Sequence, residues 1–345
     1  MQGTGGALAA TGLLGTGLLG KSSTAAFAAD ATLADIEAAA KAETQVVMYS
    51  TGGGWLTPSI NEFQKRYPWA TVSSFTGSPG QTQAKALAEI AGGAPTADVV
   101  QLGGGGRIGY LNADAFAPVN IPNQAALPAY FQDPIFHGQY QVIQVLCYNT
   151  NLIDSTPKDL FDLADPKFNG KIAFDRPQNL GASATFLAGR RALFGEDKWR
   201  KWLAGLQANN PLLTADAGSA YEAAKVGERA IAVNAYSDVA AQPPDVPVKA
   251  GFYDNLTVYP YWLGVTRAAK SPNLAVLLIN FLQSMDGQRI MAESGRSPVL
   301  NSPDLPLSVA SVVPPGNSLL DTKQLEDYWA HADEYLKVFN EYWPA

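Results

Sequence analysis

The sequence predicts an α/β fold of two lobes, each built on an open, mostly parallel sheet, with two long hinge strands joining them. Three observations carry this prediction. The chain opens, from residue 44, with three consecutive units of short apolar strand, glycine-bearing loop and helix. A second strand–loop–helix series occupies the middle. Two longer apolar runs, 139–148 and 258–265, belong to neither series and suit strands that pass between lobes.

An alanine-rich helix over 33–41 precedes the first unit. Residues 44–49 (TQVVMY) are the β-branched run of a buried parallel strand, ending in Ser50-Thr51-Gly52-Gly53-Gly54, and helical periodicity covers 56–67. Residues 70–75 form the next strand, followed by Thr76-Gly77-Ser78-Pro79-Gly80 and a helix over 81–91. The third strand is 97–102, followed by the glycine run 103–106 and another helix. Short right-handed crossovers of this kind build an open sheet. Ligands of such sheets sit beyond the carboxyl ends of the strands, where these loops lie. In the second series, helix 157–163, strand 171–174, loop 175–181 and helix 182–193 are followed by helices 197–207 and 217–226 and strand 230–235. Helices 273–285 and 287–294 and a C-terminal helix over 322–342 complete the chain. Lobe one is therefore discontinuous, 29–142 with 262–345, and lobe two is 143–261.

A chain of 345 residues exceeds one ordinary core, and 47% hydrophobic against 16% charged residues favours large buried cores over disorder. The net charge of −7 (24 basic, 31 acidic) excludes a general polyanion binder, so no nucleic acid is expected. The single Cys147 lies in an apolar run and reads as an inert buried thiol. His137 and His331 match no metal-ligand spacing and read as solvated or capping residues.

Residues 7–19 are apolar but too short to span a bilayer, and Ala26-Phe27-Ala28 follows as a small-x-small cleavage site. Residues 1–28 are therefore read as a secretion signal, and the mature protein as periplasmic, monomeric and not inserted in a membrane. Nothing basic precedes the apolar run. Either a twin-arginine region belongs upstream of Met1 or the signal is atypical.

The block Asp159-Leu160-Phe161-Asp162-Leu163-Ala164-Asp165-Pro166-Lys167-Phe168-Asn169-Gly170-Lys171-Ile172-Ala173 carries a resemblance. So, in order, do Val46-Val47-Met48-Tyr49-Ser50, Phe75-Thr76-Gly77-Ser78, Ala97-Asp98-Val99-Val100, Tyr148-Asn149-Thr150, Ser271-Pro272-Asn273 and Gly295-Arg296-Ser297-Pro298-Val299. Over roughly 44–300 the chain resembles bacterial extracellular solute-binding proteins of ABC importers, in the ferric-iron, thiamine, spermidine and phosphonate branch of the type 2 periplasmic-binding fold. The resemblance implies capture of a small ligand between the lobes, hinge closure and delivery to permease subunits of an ABC transporter. No cofactor is expected.

Loops at helix N-termini present unpaired N–H groups that favour anions. In lobe one the candidates are Thr51, Gly52, Gly53, Gly54 and Trp55 of the first loop, Gly77 and Ser78 of the second, and Gly104 of the third. In lobe two, loop 175–183 matches the segment that closes over the ligand in the family, offering Arg176 as a guanidinium fork and Ser183 as a donor. Ser219 repeats the arrangement at the next helix, and Tyr236 is a ligand-contacting phenol. Ferric-binding relatives use adjacent tyrosines near 234–237 and a first-loop histidine. Here Tyr236 stands alone there, the first loop has no histidine, and Tyr259 and Tyr261 look too few to build an oxygen shell. No metal site is therefore expected. The ranking is a small organic anion first (a phosphonate, phosphate ester or carboxylate), a polyamine or thiamine-like cation second, and ferric ion third. An exported hydrolase is the contrasting class. The chain lacks G-x-S-x-G and H-E-x-x-H, so no enzyme is expected.

Overall fold

The computed structural model describes residues 30–51, 54–178 and 181–344, so the expected signal at 1–28 lies outside the described residues. Ten strands are present among them: β1 (Gln45–Ser50), β2 (Thr71–Thr76), β3 (Val99–Gly103), β4 (His137–Asn149), β5 (Ile172–Asp175), β6 (Leu212–Thr214), β7 (Ile231–Tyr236), β8 (Val248–Gly251), β9 (Val258–Val265) and β10 (Ser297–Pro298). β1 pairs in parallel with β2 and β3, and β5 in parallel with β6 and β7, so each lobe has the parallel α/β centre that its strand–loop–helix units require.

The two expected hinge strands do more than connect. β9 and β4 lie side by side in one path, β2-β1-β3-β9-β4-β7-β5-β6. The first half of β4, His137–Ile143, pairs antiparallel with β9; from Gln144 onward it pairs with β7 and β8. The lobes are thus fused through one strand, with register shifts at Gly138/Tyr140 and Val145/Cys147. Bulges of this kind bend a strand and increase its twist. β6, β8 and β10 escape the sequence prediction: β6 and β10 are too short for an apolar pattern to read, and in β8 (VKAG) Lys249 and Gly251 break it.

Helix Pro272–Leu282 is buried along its whole length and organises the core of lobe one against Val46, Met48, Phe63, Leu263 and Val265. In lobe two, helix Glu196–Ala208 buries Trp199, Trp202, Leu203 and Leu206, which recur at the spacing of one helix face. Cys147 is fully buried in β4, and burial pushes its thiol up to about 12.

The C-terminal segment departs from expectation twice. The sequence assigns it to lobe one as a single helix; the structure packs it on lobe two and breaks it. Trp199 meets Tyr335 and Phe339 with ring centroids 5.7 and 6.0 Å apart, and Phe174 meets Trp343 at 5.2 Å. Helices Glu326–Ala330 and Ala332–Tyr342 are separated by His331, whose φ of −123° is not helical. Apolar periodicity identifies a buried face, but not the partner that buries it. The chain consequently crosses between lobes a third time, between Val299 in the core of lobe one and Leu320 in that of lobe two.

His137 is not solvated. It is fully buried in β4 with Nδ1 2.5 Å from Gln124 Oε1 and Nε2 without a partner. Desolvation lowers its pKa to about 4 from 6.5, with Asp133 opposing. Because the folded value is depressed, the unfolded chain binds the proton first. The stability held by the neutral ring is full above pH 6.5 and is lost as pH falls towards 4, up to about 3 kcal/mol. Urea denaturation between pH 7 and 4 should show wild type losing more stability than His137→Gln; parallel curves would contradict this assignment.

Candidate functional site

The main cleft, about 480 Å³, lies where the carboxyl ends of β3 and β7 face β9, bringing both lobes to one cavity. Four tyrosines line it: Tyr110, 1% exposed and packed into the lobe-one core, and three that converge from the strands. Tyr236 ends β7, and Tyr259 and Tyr261 are alternate residues of β9, so their side chains leave the same face of the strand. Their rings are 5.3 Å apart, and Tyr140 of β4 stacks on Tyr261 at 4.3 Å with an interplanar angle of 10°. The Tyr140 hydroxyl also hydrogen-bonds to Tyr261. Burial raises the pKa of Tyr140, Tyr236, Tyr259 and Tyr261; neighbouring phenols add to the shift at the first three, whereas the hydrogen bond with Tyr140 opposes it at Tyr261. Arg296 acts the other way on Tyr140, Tyr236 and Tyr261. No Lys, Arg or His lines this cleft among the described residues.

On the lobe-one side, Ser78 lines the cleft at the start of helix Pro79–Ala91. It forms a capping box with Gln81, its Oγ accepting from the Gln81 N–H at 3.3 Å while Gln81 Oε1 accepts from its own N–H at 3.0 Å. Thr51 is drawn in through Gln101, whose Oε1 accepts from the Thr51 N–H (2.6 Å) and hydroxyl (2.8 Å). Trp55 is not among the cleft-lining residues; it lies edge-on to Tyr140 at 4.8 Å with the Arg296 guanidinium 5.2 Å above its ring. Gly54 is exposed with no close neighbour, Gly77 packs on Phe75 and Gln81, and Gly52 and Gly53 lie outside the described residues.

The glycine run after β3 serves packing. Gly103 and Gly106 line the cleft, but Gly104 faces away from it and lies under Trp329, where an added Cβ would stand 2.8 Å from Cζ2. Glycine is required there by close approach rather than by a ligand.

Lobe two corrects three expectations. Arg176 donates from Nη1 to the backbone carbonyls of both Trp343 (3.2 Å) and Pro344 (2.6 Å), so its guanidinium ties down the C-terminal segment and not a ligand. Ser183 is 1% exposed and donates its hydroxyl to Asp175. Asn234 Nδ2 donates to the same carboxylate at 3.0 Å. Asp175 therefore occupies the N-terminus of helix Ala182–Phe194 that an external anion was expected to fill. Burial raises the Asp175 pKa, and these hydrogen bonds oppose the shift. Asn234 is held at φ 65°, a left-handed conformation that costs energy outside glycine, and its Oδ1 is buried without a partner. Ser219 is exposed and tied to Asp216, which accepts from its N–H (2.8 Å) and hydroxyl (3.0 Å); it does not line the cleft.

Sequence reasoning missed Tyr140, Gln101 and Arg296, and set Tyr259 and Tyr261 aside. The i, i+2 spacing of the last two in a long apolar strand was the available signal. No group of three or more His, Cys, Asp or Glu is placed to hold a metal among the described residues.

The two lobes meet around one cleft lined by tyrosines and by the glycine-bearing loops at strand ends. The chain belongs to the bacterial extracellular solute-binding protein family, whose model matches residues 96–319. Iron uptake protein A2 of Synechocystis sp. is 27% identical over 194 residues, covering 51% of this chain and 55% of that protein, so the match spans about half the length of that relative. Iron-bound HitA from Pseudomonas aeruginosa superposes with a TM-score of 0.71 at 22% identity, covering 87% of this chain and 99% of that one. Trichodesmium IdiA (FutA), solved with iron and citrate ligands, gives 0.70 at 19%, covering 86% and 99%. At such identities these structures show the shared fold. Among the described residues no helix is long and apolar enough to cross a membrane.

Proposed function

We propose that the protein is a periplasmic ferric-iron-binding component of an ABC importer, capturing the ion between its lobes together with an oxygen-rich organic anion. The carrying observation is the convergence of Tyr236, Tyr259 and Tyr261 on a cleft lined by no cationic side chain among the described residues. Ferric ion is a hard acceptor suited to anionic oxygen, and phenols become such donors when a metal displaces their protons. This reverses the ranking drawn from sequence. Asp175 already fills the helix end that a free anion would need, which removes the main support for the organic-anion reading. The relatives named above carry iron in their names or as their bound ligand, which supports the same choice.

The anion keeps a place in this reading. The phenols of Tyr236, Tyr259 and Tyr261, with no carboxylate or histidine cluster beside them among the described residues, leave a ferric ion short of donors, so oxygens of a polycarboxylate complete its shell. Contacts from both lobes exist together only when the cleft is closed, which is how binding favours closure. Ferric citrate added to iron-free protein should produce a visible phenolate-to-iron charge-transfer band and a smaller radius of gyration by X-ray scattering. A colourless protein of unchanged radius at saturating ferric citrate would overturn the proposal.

A further inference from the structure

The C-terminal segment belongs to lobe two by its packing and is tied there at both ends. Leu320 N–H donates to the Leu256 carbonyl at 2.8 Å, and Arg176 holds the carbonyls of Trp343 and Pro344. Between these anchors, helix Glu326–Ala330 reaches back to lobe one. Its Trp329 is 7% exposed and covers Gly104, at the van der Waals limit of a residue with no side chain. Gly103 and Gly106, on either side of that contact, form part of the cleft wall. Arg176, at the other anchor, begins the loop whose Gln178 and Gly181 line the opposite wall. The indole Nε1 has no hydrogen-bond partner, so the contact with Gly104 is one of shape, without a directional bond to hold it in a single register.

We infer that Trp329 is a positioning residue for capture: through it lobe two holds the Gly103–Gly106 wall of lobe one from behind, and this third interlobe contact sets how far the cleft opens. Unlike the hinge strands, it lies off the sheet and restrains separation of the lobes by packing. Glycines at the contact let the indole approach and shift as the lobes move. The inference rests on capture between two lobes, and not on which cargo is captured.

The test uses the full chain without iron, carrying spin labels on Lys65→Cys in lobe one and Lys249→Cys in lobe two, both exposed positions. Wild type should give a narrow distance distribution. Trp329→Ala should broaden it and shift it to longer distances, and Trp329→Phe should restore most of the wild-type profile. Gly104→Ala, at a position where φ is not left-handed, pushes the indole away from the other side and should reproduce the Trp329→Ala profile. It keeps the experiment decisive if the alanine variant fails to fold. With ferric citrate as probe, the variants should bind at least threefold more weakly while reaching the wild-type distance when saturated. Wild-type distances in both Trp329→Ala and Gly104→Ala would overturn the inference, even if thermal stability fell. Because the distances are read without iron, failure of ferric binding would strike the cargo assignment alone.

Discussion

The double substitution Tyr236→Phe, Tyr261→Phe is expected to weaken ferric citrate binding by more than about a hundredfold and to abolish the charge-transfer band. Losing even an outer-shell partner of a metal site typically costs about 10–100-fold, so loss of two direct donors sets a higher floor. Phenylalanine keeps each ring, and with it the stacking of Tyr140 on Tyr261 at 4.3 Å, so the effect isolates the hydroxyls. Each phenol must surrender a proton to bind, from a pKa that burial has raised; affinity should therefore climb with pH across the neutral range. Isothermal titration in two buffers of different ionisation enthalpy measures the released protons. Retained colour and affinity in the double variant would remove these tyrosines from the site.

Stability should respond most to Trp202. Its indole is fully buried, lies against Phe186 and Phe194 with centroids 6.2 and 5.6 Å away, and donates from Nε1 to the Leu160 carbonyl at 2.7 Å. Trp202→Ala removes the ring from a packed core, at a cost of about 3–5 kcal/mol, and strands that carbonyl. Guanidinium denaturation should show a midpoint shift of that size. A loss under about 1 kcal/mol would mean that the surrounding rings collapse into the space.

Most of the fold was legible in the sequence because strand and helix periods are local properties. The runs 44–49, 70–75, 171–174 and 258–265 fall within a residue or so of β1, β2, β5 and β9. The ends of interactions were not legible. Arg176 looks the same in sequence whether it grips an anion or the carbonyl of Pro344, and only the path of the C-terminus decides between them. Ser183 likewise sits where a donor to a ligand would sit, yet Asp175, eight residues earlier, claims its hydroxyl. The tyrosines fell between these cases. Tyr259 and Tyr261 announce a shared face by their spacing, but the approach of Tyr140 and Tyr236 depends on the pairing of β4 with both β9 and β7.

Cys147 has a consequence for the chemistry of the folded chain. As the only cysteine, it has no intrachain partner with which to form a wrong disulfide, and its buried thiol, pushed up to about 12, is a poor nucleophile towards another chain. No intrachain disulfide contributes to this fold, so a reducing agent should leave its stability unchanged. The same silence makes the native chain ready for thiol-specific probes: a cysteine placed on either lobe is the sole reactive one, and Cys147 can stay where it is.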